Sequence, residues 1–147
     1  RCDFAAAAVA GRLCVCGGAG NPKASGHPLS SAARFDPAAG AWEALPAMST
    51  GRVGLAAAAL GGRLYVLGGA DKDGCELRSG EWLDPAKAKW RALPPLPTGR
   101  AGLAAMAVGE HLYACGGRTH GRATNLLERL ALGSRCWERL PPMQARR

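Results

Sequence analysis

No apolar run in this sequence approaches the length of a membrane-spanning helix, and no secretory-signal pattern opens it. Acidic side chains are few, 11 against 19 lysines and arginines, which leaves a formal charge of +8. An excess of that sign favours an acidic partner: an acidic surface, an acidic peptide or, as a lesser option, nucleic acid. Histidine is equally thin. His27, His111 and His120 are scattered, so a metal-ligand set is not expected. Ser25, Ser30 and Ser31 have no triad partner by spacing, and no glycine-rich phosphate loop is present. These gaps argue against an enzyme and against a bound cofactor. The chain opens on Arg1 instead of methionine, so a missing upstream segment is expected.

What the sequence does hold is glycine (21), proline (10) and much alanine, a mixture suited to short strands broken by turns. With 147 residues, 48% of them apolar, the chain can bury one ordinary core. Cys2, Cys14, Cys16, Cys75, Cys115 and Cys136 lack the spacing of a disulfide framework. Cys14, Cys16 and Cys115 fall in apolar runs and read as small buried hydrophobes, which points to a reducing, cytoplasmic setting with a nuclear one as the alternative.

A repeat organises everything else. Diglycines stand at Gly17-Gly18, Gly68-Gly69 and Gly116-Gly117; tryptophans follow at Trp42, Trp90 and Trp137; arginines close the units at Arg52, Arg100 and Arg147, and Arg1 fills the same slot ahead of the first. From arginine to diglycine is 16 positions each time (1 to 17, 52 to 68, 100 to 116), and from tryptophan to arginine is 10. From Phe35, Leu83 or Leu130 to its tryptophan is 7. All variation in length falls between the diglycine and that apolar residue, the mark of a loop joining fixed pieces. The units are 1–51, 52–99 and 100–147.

Each unit divides into four strands. The first runs 4–9, 55–60 and 103–108, and glycines at Gly11, Gly61-Gly62 and Gly109 turn it back. The second runs 13–16, 64–67 and 112–115, apolar on both faces as a strand between two other sheets must be. The third ends at Phe35, Leu83 and Leu130. Asp36-Pro37 and Asp84-Pro85 then supply turn chemistry, whereas Ala131 leaves the third turn without its aspartate. The fourth carries the tryptophan and ends in Leu-Pro, at 45–46, 93–94 and 140–141. Trp82, one place before the apolar slot of the second unit, is expected on the outer face of its sheet.

Leu-Tyr-Val-Leu-Gly-Gly at 64–69, Phe35-Asp36 with Leu83-Asp84, the spaced tryptophan and Gly-Arg at 51–52 and 99–100 together resemble the kelch repeat, over the whole chain. The resemblance implies an all-β fold: three four-stranded antiparallel blades of a β-propeller. Propellers close with roughly four to eight blades, so three form an open arc, half of a six-bladed ring. Its two end sheets would be apolar and uncovered. The remaining blades of a longer chain, or a second copy, are expected to close it. Because Arg1 and Arg147 fall in one repeat slot, the first is preferred.

Up-and-down strands put the loop between strands two and three on the same face as the loop between blades. Its versions are 19–30, 70–78 and 118–125. Lys23, Arg52, Arg100, Arg118 and Arg122 share that face as candidate partner-binding residues, with guanidinium groups suited to carboxylates. Similarity to BTB-kelch ubiquitin-ligase adaptors implies an acidic peptide gripped by Arg52, Arg100 and Arg118. The competing reading of Arg52 and Arg100 is structural, with each arginine bridging blades or satisfying loop carbonyls. An adaptor or substrate receptor is therefore expected, against two alternatives: a scaffold subunit of a large assembly, or an enzyme of the copper-radical galactose oxidase type. Against the last, Tyr65 and Tyr113 occupy one repeated core slot instead of converging on a metal. Nearly every aromatic fills a repeat slot, which also disfavours nucleic acid.

Overall fold

A computed structural model describes residues 1–20, 26–84 and 86–147. The first repeat folds as β1 (Ala5–Val9), β2 (Arg12–Cys16), β3 (Ala32–Asp36) and β4 (Ala41–Leu45). The second gives β5 (Ala56–Leu60), β6 (Arg63–Leu67), β7 (Gly80–Asp84) and β8 (Lys89–Ala92). The third gives β9 (Ala104–Val108), β10 (His111–Cys115), a short hairpin β11 (Arg118–Thr119) and β12 (Arg122–Ala123), then β13 (Leu127–Ala131) and β14 (Glu138–Leu140). In every blade the four long strands lie side by side in chain order, all antiparallel. The innermost strands β1, β5 and β9 sit next to one another, so the sheets fan out from a common axis. No helix occurs among the described residues. Trp137 lies just before β14 and not within it, the one fourth strand that starts late.

Local chemistry sets the turns. Ala10-Gly11 and Gly61-Gly62 carry positive φ at both positions, the sign pattern of two-residue hairpins whose twist matches the flanking strands. The Asp36 carboxylate accepts from the backbone N–H groups of Ala38 and Ala39 at 2.9 and 3.3 Å, and Asp84 accepts from Ala86 at 3.0 Å. Where Ala131 stands in the third blade, Ser134 takes over: its N–H donates to the Ala131 carbonyl and its Oγ accepts from the Cys136 N–H.

The core lies between blades. In β6, Leu64, Tyr65, Val66 and Leu67 are all buried, because Leu64 and Val66 pack on Val9, Cys14 and Cys16 while Tyr65 and Leu67 pack on Leu112, Ala114, Leu130 and Trp137. The end blades bury one face only. Leu13 is 41% and Trp42 56% exposed on one side, and Met106 63% and Val108 56% on the other. Trp90 donates its indole N–H to the Pro46 carbonyl of the preceding blade at 2.7 Å, and Trp137 to Pro94 at 2.9 Å, each worth about 1 kcal/mol. The repeated tryptophan is thus a clasp onto the blade before it.

The diglycines close the same joint. The Gly18 N–H donates to the Arg52 carbonyl at 2.7 Å, Gly69 to Arg100 at 2.8 Å and Gly117 to Arg147 at 2.7 Å. Gly17 and Gly18 have φ of 63° and 86°, and a β-carbon at Gly17 would stand 2.7 Å from the Arg52 oxygen. Only glycine fits both demands.

Candidate functional site

Two groups of arginine separate in the structure. Arg52 and Arg100 belong to the first, and both have fully buried side chains. The backbone of Arg52 bonds to the blade before it while its side chain enters the blade after. Nη1 donates to the Gly68 and Ser79 carbonyls at 3.0 and 2.8 Å, and Nη2 donates to Ser79 Oγ at 2.9 Å and Glu81 Oε1 at 3.1 Å. Glu81 in turn accepts the Ser49 N–H of the preceding blade at 3.0 Å. Arg100 repeats the arrangement: Nη1 to the Gly116 carbonyl at 2.9 Å, Nη2 to Glu128 Oε2 at 2.6 Å. Burial lowers the guanidinium pKa of both, and the paired carboxylates oppose it.

This placement corrects the expectation that Arg52 and Arg100 grip a partner. A guanidinium with no solvent exposure and its donors turned to Glu81 or Glu128 has no free face for an outside carboxylate. The competing reading, an arginine that bridges blades and satisfies loop carbonyls, describes the geometry. A signal for it stands in the sequence: a carboxylate two positions before Leu83 and Leu130, with Ala33 in that slot of the first blade. There Arg1 donates to Ser31 Oγ, at 2.7 Å and exposed, and among the described residues has no carboxylate partner.

Arg118 and Arg122 form the second group. Both are exposed on the β11–β12 hairpin, whose turn residues His120 and Gly121 take positive φ of 48° and 73°. The Arg118 backbone pairs with Ala101, which roots the hairpin in the loop between blades, and its Nη2 donates to the Gly121 carbonyl at 3.2 Å. Glu76, from the corresponding loop of the second blade, accepts the Gly121 N–H at 3.3 Å. Beside the hairpin is an open cleft of about 500 Å³ bounded by Thr119, His120, Arg122, Asn125 and Arg146. A smaller cleft of about 390 Å³ lies between the first two blades, where His27, Thr50, Asp71 and Lys72 meet. Lys23, the remaining candidate, lies outside the described residues.

The other residues singled out by sequence are placed as follows. Cys14 and Cys16 are buried side by side, and desolvation pushes the Cys16 thiol up to about 12. Cys115 is half-buried, and Cys2, Cys75 and Cys136 are exposed. Tyr65 is buried between blades, while Tyr113, in the same slot, lines the uncovered end of the third blade. Trp82 differs from expectation. Its neighbours Glu81 and Leu83 turn to the first blade, so Trp82 turns into the groove facing the third and packs on the core there.

Four-stranded blades fanned about an axis, locked by glycine pairs and tryptophan clasps, define a segment of a β-propeller. The Kelch motif model matches residues 1–49, 51–97 and 99–144, and the chain belongs to that family. Kelch domain-containing protein 8B of Rattus norvegicus is 46% identical over 69 residues, which is 47% of this chain and 19% of that protein. The Homo sapiens protein of the same name is 41% identical over the same length and the same shares. An F-box/kelch-repeat protein of Arabidopsis thaliana is 42% identical over 69 residues, 47% of this chain and 18% of that one. The matched segment therefore spans about a fifth of these curated relatives. Among solved structures, that of YjhT superposes with a TM-score of 0.85 at 19% identity, over 97% of this chain and 52% of YjhT. Its fold is the same. Kelch repeats and kelch-domain relatives together support a propeller module of the protein-interaction type.

Proposed function

We propose that these three blades are the recognition part of a kelch adaptor that binds an acidic segment of a protein partner on the face bearing the β11–β12 hairpin. The observation that carries the reading is the contrast between the two arginine groups. Arg52 and Arg100 are consumed inside the blades, whereas Arg118 and Arg122 stand exposed on the hairpin, and Arg122 and Arg146 line the cleft beside it. Guanidinium forks at the rim of a cleft suit bidentate bonds to carboxylates. The narrower form of the proposal, a ubiquitin-ligase substrate receptor, rests on the similarity to BTB-kelch adaptors at these repeat slots. The uncovered end faces take further blades of the same propeller, and a second copy of the chain is the other candidate. Those same faces favour one rival reading, a scaffold subunit seated in a larger assembly.

Fluorescence anisotropy with a labelled hexaglutamate peptide tests the proposal. The protein should bind it in preference to hexaglutamine, and added salt should weaken the complex. Arg118→Glu combined with Arg122→Glu should abolish binding while the circular dichroism spectrum stays unchanged. Equal affinity for the two peptides, or an undiminished double variant, would remove the basic face from the account.

A further inference from the structure

The groove between the second and third blades opens on the face of the arc opposite the β11–β12 hairpin, beside the β5–β6 hairpin and the turn joining β13 to β14. Trp82 is its centre. The guanidinium carbon of Arg63 lies 4.5 Å from the indole centroid and that of Arg91 lies 5.5 Å from it. Tyr65 stacks beneath at 6.4 Å with planes 27° apart. Leu93, Pro94 and Leu132 complete a cleft of about 250 Å³, room for roughly one large side chain.

The second blade differs from its neighbours at this position. Trp82 sits opposite Arg91 in the β7–β8 register, and the same position holds Arg34 opposite Glu43 in the first blade and Arg129 opposite Glu138 in the third. Those two pairs are ion pairs at 2.8 and 2.7 Å. Arg63, likewise, fills the slot that Arg12 fills in the first blade, where Arg12 binds Asp36 at 2.9 Å. Among the described residues neither Arg63 nor Arg91 has a carboxylate within ion-pair distance. The second blade has exchanged one ion pair for an indole beside Arg91, and Arg63 leans over that indole although Asp84 keeps the place of Asp36 across from it, beyond ion-pair distance. Next to it β8 is the last strand of its sheet, so its outward backbone groups have no strand partner.

We infer that this groove is a second recognition site, for an extended peptide in which an aromatic side chain neighbours a carboxylate. The ring packs on Trp82 against Leu93 and Leu132, the carboxylate bridges Arg63 and Arg91, and the peptide backbone runs along the open edge of β8. The site is separate from the hairpin face, and neither depends on the other.

The test is an NMR titration of the protein with the peptide acetyl-Glu-Phe-Glu-amide against acetyl-Gln-Phe-Gln-amide. The Trp82 indole N–H and the Nε–H signals of Arg63 and Arg91 should shift, with the glutamate peptide at least about tenfold tighter. Trp82→Arg with Arg91→Glu installs the pairing that the first and third blades already carry. That variant should keep its fold and lose at least about tenfold in affinity. Arg91→Gln, a surface change, should lose part of it without touching stability. Equal affinity for the two peptides, shifts confined to Arg118 and Arg122, or undiminished binding by either variant would overturn the inference.

Discussion

Arg100→Ala is the sharpest probe of the joint between blades. The substitution deletes a guanidinium that lies 2.6 Å from Glu128 Oε2, both side chains fully buried, and that also serves the Gly116 carbonyl at 2.9 Å. Glu128 would keep only Arg139 Nη2, at 3.5 Å from its other oxygen and on an exposed side chain. Stranding one member of a buried pair costs roughly 3–5 kcal/mol, a large share of the ~5–15 kcal/mol of an ordinary domain. With a urea slope near the middle of the usual range, ~2 kcal/mol/M, the midpoint should fall by about 2 M. Equilibrium urea unfolding followed by tryptophan fluorescence reads this directly. Arg118→Ala, which empties no buried site, should leave the midpoint where it was. Arg100→Met with Glu128→Leu removes both charges together and should recover most of the loss, because the penalty comes from the orphaned carboxylate and not from the absent attraction. A loss below about 1 kcal/mol for Arg100→Ala, or a double variant no better than the single, would refute the claim that this pair locks the blades.

Two further outcomes follow from the same geometry. With a chromogenic disulfide reagent at mildly alkaline pH, Cys2, Cys75 and Cys136 should react at once, while Cys14 and Cys16 wait for denaturant. Burial blocks access to both, and it holds the Cys16 thiol near 12 and so protonated; prompt reaction at Cys16 would contradict the packing of the first two blades. Asp36 is held below its ordinary 3.8, first by the Arg12 hydrogen bond and then by the Ala39 and Ala38 N–H groups. A carboxyl depressed by folding stabilises above its unfolded value and loses that contribution as pH falls through the folded one. The β3–β4 turn should therefore loosen only below 3.8. Arg12→Ala should raise the Asp36 midpoint in a carboxyl NMR titration.

The blades were legible because each structural demand repeats on a residue type that few alternatives satisfy. Glycine pairs at positive φ, a Leu-Tyr-Val-Leu strand buried on both sides and a tryptophan reaching back one blade each leave a mark at fixed spacing. The end strands β2 and β10 bury alternate residues only, which the local pattern of Leu13–Cys16 and Leu112–Cys115 does not reveal, since burial depends on a neighbouring sheet and not on the strand itself. The arginines were harder. Spacing puts Arg52, Arg100 and Arg118 near one end of the blades, but whether a side chain turns in or out depends on what waits inside. Glu81 and Glu128 wait for the first two, and their partnership spans the loop of variable length. The Trp82 groove was missed for a related reason: Arg91 meets the indole through cross-strand register and Arg63 through the hairpin, and neither proximity is visible along the chain.

The distribution of charge over the blades bears on the proposed function. Inside the blades, basic and acidic groups are matched: Arg12 with Asp36, Arg34 with Glu43, Arg52 with Glu81, Arg100 with Glu128, Arg129 with Glu138. A pairing of that kind cancels its own field, so the excess of +8 is not spread evenly over the arc. Other arginines remain outside these pairs: Arg118 and Arg122 on the β11–β12 hairpin, with Arg122 and Arg146 lining the cleft beside it, and Arg63 and Arg91 against the Trp82 ring. The end faces are different in kind, offering Leu13, Trp42, Met106 and Val108 to whatever packs there. Apolar ends suit blade-on-blade contact, where charge would cost desolvation, and the two basic clefts suit a ligand that brings its own carboxylates. On the proposed function, the slots that build the joint are fixed and the cations outside it are the ones left to bind.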